Sequence, residues 1–324
     1  MNLVTGATGF IGTHLVQRLV RDGEPTRVLC RPGSEPKLPP LPVEIAHGDL
    51  RDRDSLVRAA SGVTRIFHCG GRVSDWGAHD TFDAINVRGT QWLLEAAAVH
   101  RVRRFVHVSS IAAFGTPSPR YFDDDTPVVA SKDGYSHSKA LGEQLALAFH
   151  RDRGVPVTIV RPAVVYGPSG TWLEQPLSMI ERDKLFLLGG GKGTCHPCYV
   201  ENLVDAMVLA AEHPAAIGEA FIVSDGESVS FREYFDAVAS IAGRPPIRRS
   251  IPYPVAVGVA AALELSARAR RSQQRPLLTR TAIAMVTTRS EMSATKITRV
   301  LGYRPRYTFP AAIDHLRAWY ASRR

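Results

Sequence analysis

Lysine is scarce in this 324-residue chain: of its 40 basic residues only 6 are Lys, so its positive charge is carried by Arg. Cysteine is scarcer still, with Cys30, Cys69, Cys195 and Cys198 alone, too few for a disulfide scaffold. Cys195-His-Pro-Cys198 has the C-x-x-C spacing, but a zinc site needs about four ligands and no second Cys/His pair stands at matching spacing. No metal is expected. No low-complexity tract breaks the composition, which is ordinary for a globular chain at 44% hydrophobic and 22% charged. Long apolar runs are missing as well. The longest lies within Pro252–Leu265 and falls short of the ~20 residues a membrane span requires. It reads as a helix that caps a pocket or closes a local core. A first strand starting at Asn2 leaves no room for a cleaved leader, and a cytoplasmic location is expected.

Acidic residues thin out towards the C-terminus. Residues 244–324 hold 16 Lys+Arg against 3 Asp+Glu, a balance of +13; with the chain at +9, the rest carries −4. Arg268, Arg270, Arg271 and Arg275 cluster just after the apolar stretch. They read first as a solvated helix face, and second as a steering patch for a substrate carried on coenzyme A or an acidic carrier protein. No nucleic-acid motif accompanies the charge, so no nucleic-acid partner is expected. A small-molecule substrate is, and homodimer assembly stays open.

What is present is a rhythm. Short apolar runs at Asn2–Thr5, Arg27–Cys30, Val43–Ala46, Ile66–Cys69, Phe105–Ser109 and Val157–Arg161 alternate with amphipathic stretches at Ile11–Arg21, Asp54–Ala60, Ile85–His100 and Tyr135–Arg153. That is the signature of a Rossmann-type α/β fold with a doubly wound parallel sheet. After Gly167 the chain is loop-rich through Pro197, with Gly189, Gly190 and Gly191 in a row, then returns to helix at Asn202–Glu212 and strand at Ala220–Val223. Beyond Asp225 it is mostly helical. These runs place a dinucleotide-binding core in 1–167 and 198–225, and a smaller, mostly helical substrate lobe in 168–197 and 226–324.

Thr5-Gly6-Ala7-Thr8-Gly9-Phe10-Ile11-Gly12 joins the first strand to the first helix. Gly6 permits the tight turn, Gly9 lets backbone approach a pyrophosphate, and Gly12 lets helix pack on sheet. Thr8, Phe10 and Ile11 bring their backbone to a helix N-terminus that favours anions. The second strand ends in Cys30-Arg31-Pro-Gly-Ser34, not in the acid that would hold both ribose hydroxyls of NAD. Arg31 and Ser34 suit a 2′-phosphate, which favours NADP(H) and leaves NAD(H) open. Asp49-Leu50 is placed to meet the adenine, and Cys69-Gly70-Gly71 offers small residues beside the cofactor.

Tyr135 and Lys139, four apart on a helix, share one face. A phenol near pKa ~10 is a poor acid–base group at neutral pH; a neighbouring ammonium and an oxidised nicotinamide favour the phenolate. Ser110 ends the fifth strand, placed to polarise a substrate carbonyl. Asn86 opens the preceding helix, placed to organise the Lys139 side or a water chain.

Together the TGATGFIG loop, Asp49-Leu50, Asn86-Val-Arg-Gly-Thr, Ser109-Ser110, Tyr135-x-x-x-Lys139 and Arg161-Pro-Ala-Val-Val-Tyr-Gly-Pro168 resemble the extended short-chain dehydrogenases/reductases, over at least residues 2–205. The resemblance implies that Asn86, Ser110, Tyr135 and Lys139 carry the chemistry and that Pro162 and Val165 line the nicotinamide. The family usually has alanines where Gly70 and Gly71 stand. Cys195-His-Pro-Cys-Tyr-Val-Glu-Asn202 lacks the Arg-Asp pair of sugar epimerases. With Val73-Ser-Asp-Trp-Gly77, Pro276-Leu-Leu-Thr-Arg280 and Leu301-Gly-Tyr-Arg-Pro305, it is more similar to the 3β-hydroxysteroid dehydrogenase and dihydroflavonol reductase branch. Trp76, Phe114, Tyr166, Trp172, His196 and Tyr199 are then expected around an apolar or ring-containing substrate. An NAD(P)(H)-dependent ketone reductase or hydroxy dehydrogenase is the first expectation. A nucleotide-sugar epimerase or dehydratase is the second, and a non-catalytic cofactor-sensing regulator the third.

Overall fold

The structure is a computed structural model that describes residues 1–272 and 274–323. Seven parallel strands form its main sheet: β1 Asn2–Thr5, β2 Thr26–Cys30, β3 Glu44–His47, β4 Arg65–His68, β5 Arg104–Val108, β6 Val157–Pro162 and β7 Ala220–Val223. In space they run β3-β2-β1-β4-β5-β6-β7. Chain direction across the sheet reverses between β1 and β4, which opens the crevice where ligands bind in such sheets. In β1, β5, β6 and β7 every residue is buried, as near-continuous apolar runs in a covered parallel sheet should be, while the edge strand β3 stays exposed.

Strand alternation sorts the core into two layers. Leu3 and Phe105 point to one face, under helices α2 Arg53–Ala60, α3 Arg88–Val99 and α4 Gly134–Arg153. Val4 and Val106 point to the other. That face is covered by α1 (Phe10–Arg21) and by α6 (Val200–Glu212), which follows α5 (Thr171–Glu181) in the chain. A third cluster, holding Tyr166, Tyr199, Phe231, Tyr234 and Phe309, is built largely from α5, α7 (Phe231–Ile241), α10 (Phe309–Ser322) and the short strands beside them. Between α7 and α10 lie α8 (Tyr253–Ala269) and α9 (Arg280–Thr287), joined by a small apolar contact of Ala256 and Ala260 on Ile283. Ile297, Leu301 and Tyr303, late in the chain, pack back into the sheet's own core.

The helix that matters most for the site has clear local causes. Asp133 caps the start of α4, its carboxylate accepting from the Ser136 N–H at 2.8 Å. Gly154 ends it in the left-handed region at φ 66°. Beneath it Arg161 on β6 and Glu143 on α4 form a buried pair, with Nε 3.1 Å from both carboxylate oxygens and Nη2 2.5 Å from Oε1. Arg161 Nη1 also donates to the Asp124 carbonyl at 2.7 Å.

Two expectations need correction. Residues 168–197, expected to be loop-rich, also hold a regular helix, α5, which occupies eleven of them with Pro176 inside it. The proline reads as a breaker in sequence, yet its ring is buried among Leu173, Leu177 and Ile180, whose packing carries the helix through. Nor is 85–100 one regular helix. His79–Phe82 is a single α turn, Asp83–Val87 a π turn, and only then does α3 begin.

Removing the carboxylate of the buried pair leaves a guanidinium without its counter-charge. Glu143→Ala is expected to destabilise the fold by about 3–5 kcal/mol. Chemical denaturation reads this directly, and an unchanged midpoint and slope would show that the pair carries no net stability.

Candidate active site

The glycine loop closes on itself at contact distance. Gly6 has φ +72° and faces the backbone of Cys69-Gly70 so closely that a Cβ would sit 2.7 Å from the Gly70 nitrogen. A Cβ on Gly12 would lie 2.2 Å from the Gly6 carbonyl oxygen. Only backbone fits there. Gly9 is exposed and caps α1 with no side-chain hydrogen bond, and no acid stands in the first turn. The helix therefore offers its first N–H groups and its positive end to an anion. Phe10 contributes backbone to this end, while its ring packs under Gly167 and Gly170. These residues fit a dinucleotide pyrophosphate.

Further along, Leu50 fills the space beside Gly70 that an alanine methyl would need, its Cδ1 lying 3.1 Å from that position. The Asp49 carboxylate accepts from the Arg51 backbone at 2.9 Å and from its guanidinium at 3.0 Å, which with the charge of Arg31 holds it below the usual carboxylate range. Arg51 is a member of this corner that the sequence reading missed. Glu35, the nearest acid after β2, is engaged by His47 at 3.2 Å. Arg31 is exposed and has no carboxylate partner among the described residues.

At the carboxyl edge of β5 the residues expected to be catalytic come together. The Ser110 hydroxyl lies close enough to the Tyr135 phenol to lower its pKa, and it also accepts from the Ala112 N–H at 3.1 Å. Lys139 is buried, donates from Nζ to the Val108 carbonyl at 2.8 Å, and lies 6.0 Å from the centre of the Tyr135 ring. Asn86 is buried at the π turn, a feature that often marks functional sites. Its Oδ1 accepts from the Arg72 N–H at 2.7 Å, and its Nδ2 donates to the Arg72 carbonyl at 3.0 Å and to Ser138 Oγ at 2.9 Å. It thus ties the strand-end loop at 70–72 to α4 between Tyr135 and Lys139.

The family model described as "NAD dependent epimerase/dehydratase family" matches residues 2–224. The chain belongs to this family. It is an extended short-chain dehydrogenase/reductase, a class of NAD-dependent oxidoreductases. Among similar curated proteins is sterol demethylase protein B of Methylococcus capsulatus, 32% identical over 99% of this chain and 98% of that one. A second is the 4-hydroxy-2-methyl-3-oxo-4-farnesyl-3,4-dihydroquinoline-1-oxide ketoreductase of Stigmatella aurantiaca, 30% identical over 97% and 95%. A third is the 2-alkyl-3-oxoalkanoate reductase of Stenotrophomonas maltophilia, 29% identical over 98% of each chain. The crystal structure titled gox2253 superposes with a TM-score of 0.81 at 31% identity, covering all of this chain and 98% of that one.

The protein groups alone, with no nicotinamide beside them, set the electrostatics of Tyr135 and Lys139. Burial pushes the Tyr135 phenol up to about 12, with Asp133 adding to the rise and the Ser110 hydrogen bond opposing it. Burial pulls the Lys139 ammonium down to about 8, against the raising influence of Cys69 and Glu143. The phenolate is therefore not favoured by the protein alone; the neutral phenol, a proton donor, is the resting form.

The expected substrate residues separate. Tyr166, Tyr199 and Phe114 are fully buried in packed clusters, with the Tyr166 hydroxyl donating to Asp225 at 2.8 Å and the Tyr199 hydroxyl 3.0 Å from His315 Nδ1. His196 is buried between Ser228 and Ser290. These four present core, not wall, since aromatic residues at predicted sheet edges are also what a lobe needs to pack on a sheet. Trp172 is half-buried beside Phe231. Trp76 is half-buried on the loop that follows Gly70-Gly71, and its Nε1 donates to the Ser272 carbonyl at 3.4 Å. Next to it Asp75 accepts from Arg275 Nη2 at 2.7 Å and from Thr279 Oγ1 at 2.5 Å. Arg268 stands over the Trp76 ring at 5.8 Å. Two of the four clustered arginines thus fasten the 72–77 loop to the lobe and are not free to steer a ligand.

Pro162 ends β6 buried, and Val165 is half-buried on the short strand that pairs with Pro197–Tyr199. Cys195 and Cys198 are buried thiols pushed well above their ordinary range. Behind the site lies a polar layer that the sequence reading overlooked. His68 Nδ1 meets Thr5 Oγ1 at 2.7 Å and its Nε2 meets Thr90 Oγ1 at 2.9 Å, and burial holds the ring neutral, near 3. The signal was available as a histidine at the end of the otherwise apolar run Ile66–Cys69.

Tyr135→Phe should lower turnover by ~10²–10⁴-fold while coenzyme affinity stays near wild type. Wild-type turnover on a confirmed substrate would remove Tyr135 from the chemistry. A second expectation follows from Lys139. Its ammonium is present below about pH 8 and lost above it, so kcat/KM with coenzyme varied, which reports the free enzyme, should fall tenfold per pH unit above that point. A profile flat to pH 10 would show that this lysine keeps its proton.

Proposed function

We propose that this chain interconverts a ketone and its alcohol on an apolar or ring-containing skeleton, with Tyr135 as the acid–base group. The grouping of Tyr135 with Ser110 and with Lys139, whose Nζ is anchored on the Val108 carbonyl 6.0 Å from the Tyr135 ring centre, carries the reading. When bound, the reduced nicotinamide supplies the hydride that goes to the carbonyl carbon. Ser110 donates a hydrogen bond to the carbonyl oxygen and polarises it. Tyr135 gives its proton to that oxygen as the C=O π bond breaks, and the Lys139 ammonium offsets the charge left on the phenolate. Oxidation of the alcohol runs the same steps backwards. A phenol held neutral is suited to starting in the reductive direction.

The substrate class is supported by the relatives' own names, which specify a sterol, a farnesyl-bearing ring and a 2-alkyl-3-oxoalkanoate. The 195–198 stretch supports it too, since its buried thiols and serine-bound histidine offer no cation to a sugar diphosphate. NADP(H) is the proposed coenzyme, because Arg31 is exposed at the end of β2 with no carboxylate salt-bridge partner among the described residues.

A panel of ketones and alcohols, followed by NADPH absorbance with NADH in parallel, tests the reaction class. Net change in coenzyme with an apolar ketone is expected. Turnover of a nucleotide sugar with the coenzyme retained, and none with ketones, would overturn the reading in favour of an epimerase. For the coenzyme, Arg31→Asp should repel a 2′-phosphate and suit a free hydroxyl. An NADPH:NADH affinity ratio that the substitution leaves unchanged would take Arg31 out of the site.

A further inference from the structure

Helix α8 is amphipathic the wrong way round. Its buried residues are Ala256, Ala260 and Glu264, a single i, i+4 row. Two of these are the smallest side chains available for a contact, and the third is the helix's only carboxylate. Glu264 is 5% exposed and accepts from the Arg280 backbone at 2.7 Å and from Arg280 Nε at 2.9 Å. Val257 packs with this row, but three other bulky apolar residues point the other way. Val255 is 54%, Val259 48% and Leu265 70% exposed, on a face that Gly258 and Ala262 complete without one charged residue.

Single exposed apolar residues are normal on a protein surface. A whole stripe facing water while the acid faces inward is not, because burying the stripe and exposing the acid is the cheaper arrangement in water alone. The stripe is continuous along a helix of 17 residues, about 25 Å long. No helix among the described residues is long and apolar enough to cross a membrane, so such a face can lie on a bilayer but not through it.

Charge decides what covers the face. The stripe ends at Arg268, Arg270 and Arg271, all exposed, and Leu277 stands 89% exposed just beyond them. Arg270 and Arg271 have no carboxylate partner among the described residues, and Arg268 reaches Glu264 only at 4.0 Å. An apolar stripe closed by uncompensated guanidinium groups matches acyl chains bordered by anionic headgroups. A second copy of the same chain would bring the same arginines, like charge against like.

We propose that the outer face of α8 is a peripheral docking surface for an anionic lipid bilayer, with Val255, Val259 and Leu265 entering the interface and Arg270 and Arg271 on the headgroups. The C-terminal end of this helix adjoins the 72–77 loop through Arg268 over Trp76 and the Trp76 bond to Ser272. Docking therefore sets the approach to the active site against the membrane surface. It does not depend on the substrate proposed above, because lipid binding needs no turnover.

The test is flotation of the full chain with vesicles of phosphatidylcholine, alone or with a third of the lipid replaced by phosphatidylglycerol. Binding to the anionic vesicles, weaker at physiological salt, is expected. Arg270→Gln and Arg271→Gln should each lower the partition coefficient about fivefold on anionic vesicles only. Val259→Asp with Leu265→Asp should abolish binding; both residues are exposed, so coenzyme affinity and melting temperature should hold and show that the variant is folded. Failure of the wild-type chain to float with either vesicle would overturn the proposal, as would binding that survives the double aspartate variant. Sedimentation analysis covers the rival occupant: a dimer that the aspartates disperse, with no vesicle binding, assigns the face to a second copy and refutes the lipid reading.

Discussion

The closest constraint in the molecule is the backbone-to-backbone contact of Gly6 with Gly12 and with Gly70. A methyl group at Gly12 would stand 2.2 Å from a carbonyl oxygen, and one at Gly6 would stand 2.7 Å from the Gly70 nitrogen. Because these strands and the helix touch without side chains, the first turn of α1 comes down onto the crevice between β1 and β4. The residues expected at the coenzyme are grouped around that point: Leu50 over Gly70, Asn86 and Lys139 beside Gly71, and Phe10 under the 167–170 turn.

A second tier of interactions sets the chemistry on this frame. Asn86 bonds both to the Arg72 backbone and to Ser138, so the strand-end loop and α4 move as one piece. The Val108 carbonyl fixes the Lys139 ammonium on the β5 side of the same helix. Tyr135 thus sits on an element locked at both its cap and its middle, which is how a site holds its geometry without a ligand to organise it. The buried histidine layer behind the site is neutral and spends its hydrogen bonds on threonines of β1 and α3.

Much of this was legible in the sequence, and for physical reasons. Fully buried parallel strands have apolar centres, so β7 was readable to the residue, and so was β1 around Leu3 and Val4 although Asn2 and Thr5 close it at both ends. The glycine loop and the Tyr135/Lys139 spacing are backbone and helix-face statements, and both survive without knowledge of tertiary packing. What failed was whatever depends on which side of a residue meets another element. Pro176 looks like a stop until its burial is seen. Tyr166, Tyr199 and His196 look like pocket wall, yet they are the packing of lobe on sheet. Arg275 looks like a free cation, while Asp75, 200 residues away in sequence, claims it. The apolar stretch at 253–265 was found as a helix, but its outward orientation could not be read from a window in which nearly every residue is apolar.

The π turn at Asp83–Val87 has a consequence for how this part of the chain can vary. A π turn accommodates one residue more than the regular helix on either side of it. Losing any single residue from it would let the spiral close into ordinary α geometry, at the same time turning Asn86 by about 100° around the axis and away from both the Arg72 backbone and Ser138. Point changes on the outer side of the turn leave its winding intact. The segment is thus permissive towards exchange of side chains but intolerant of a change in length, and among descendants of this sequence gaps should fall elsewhere.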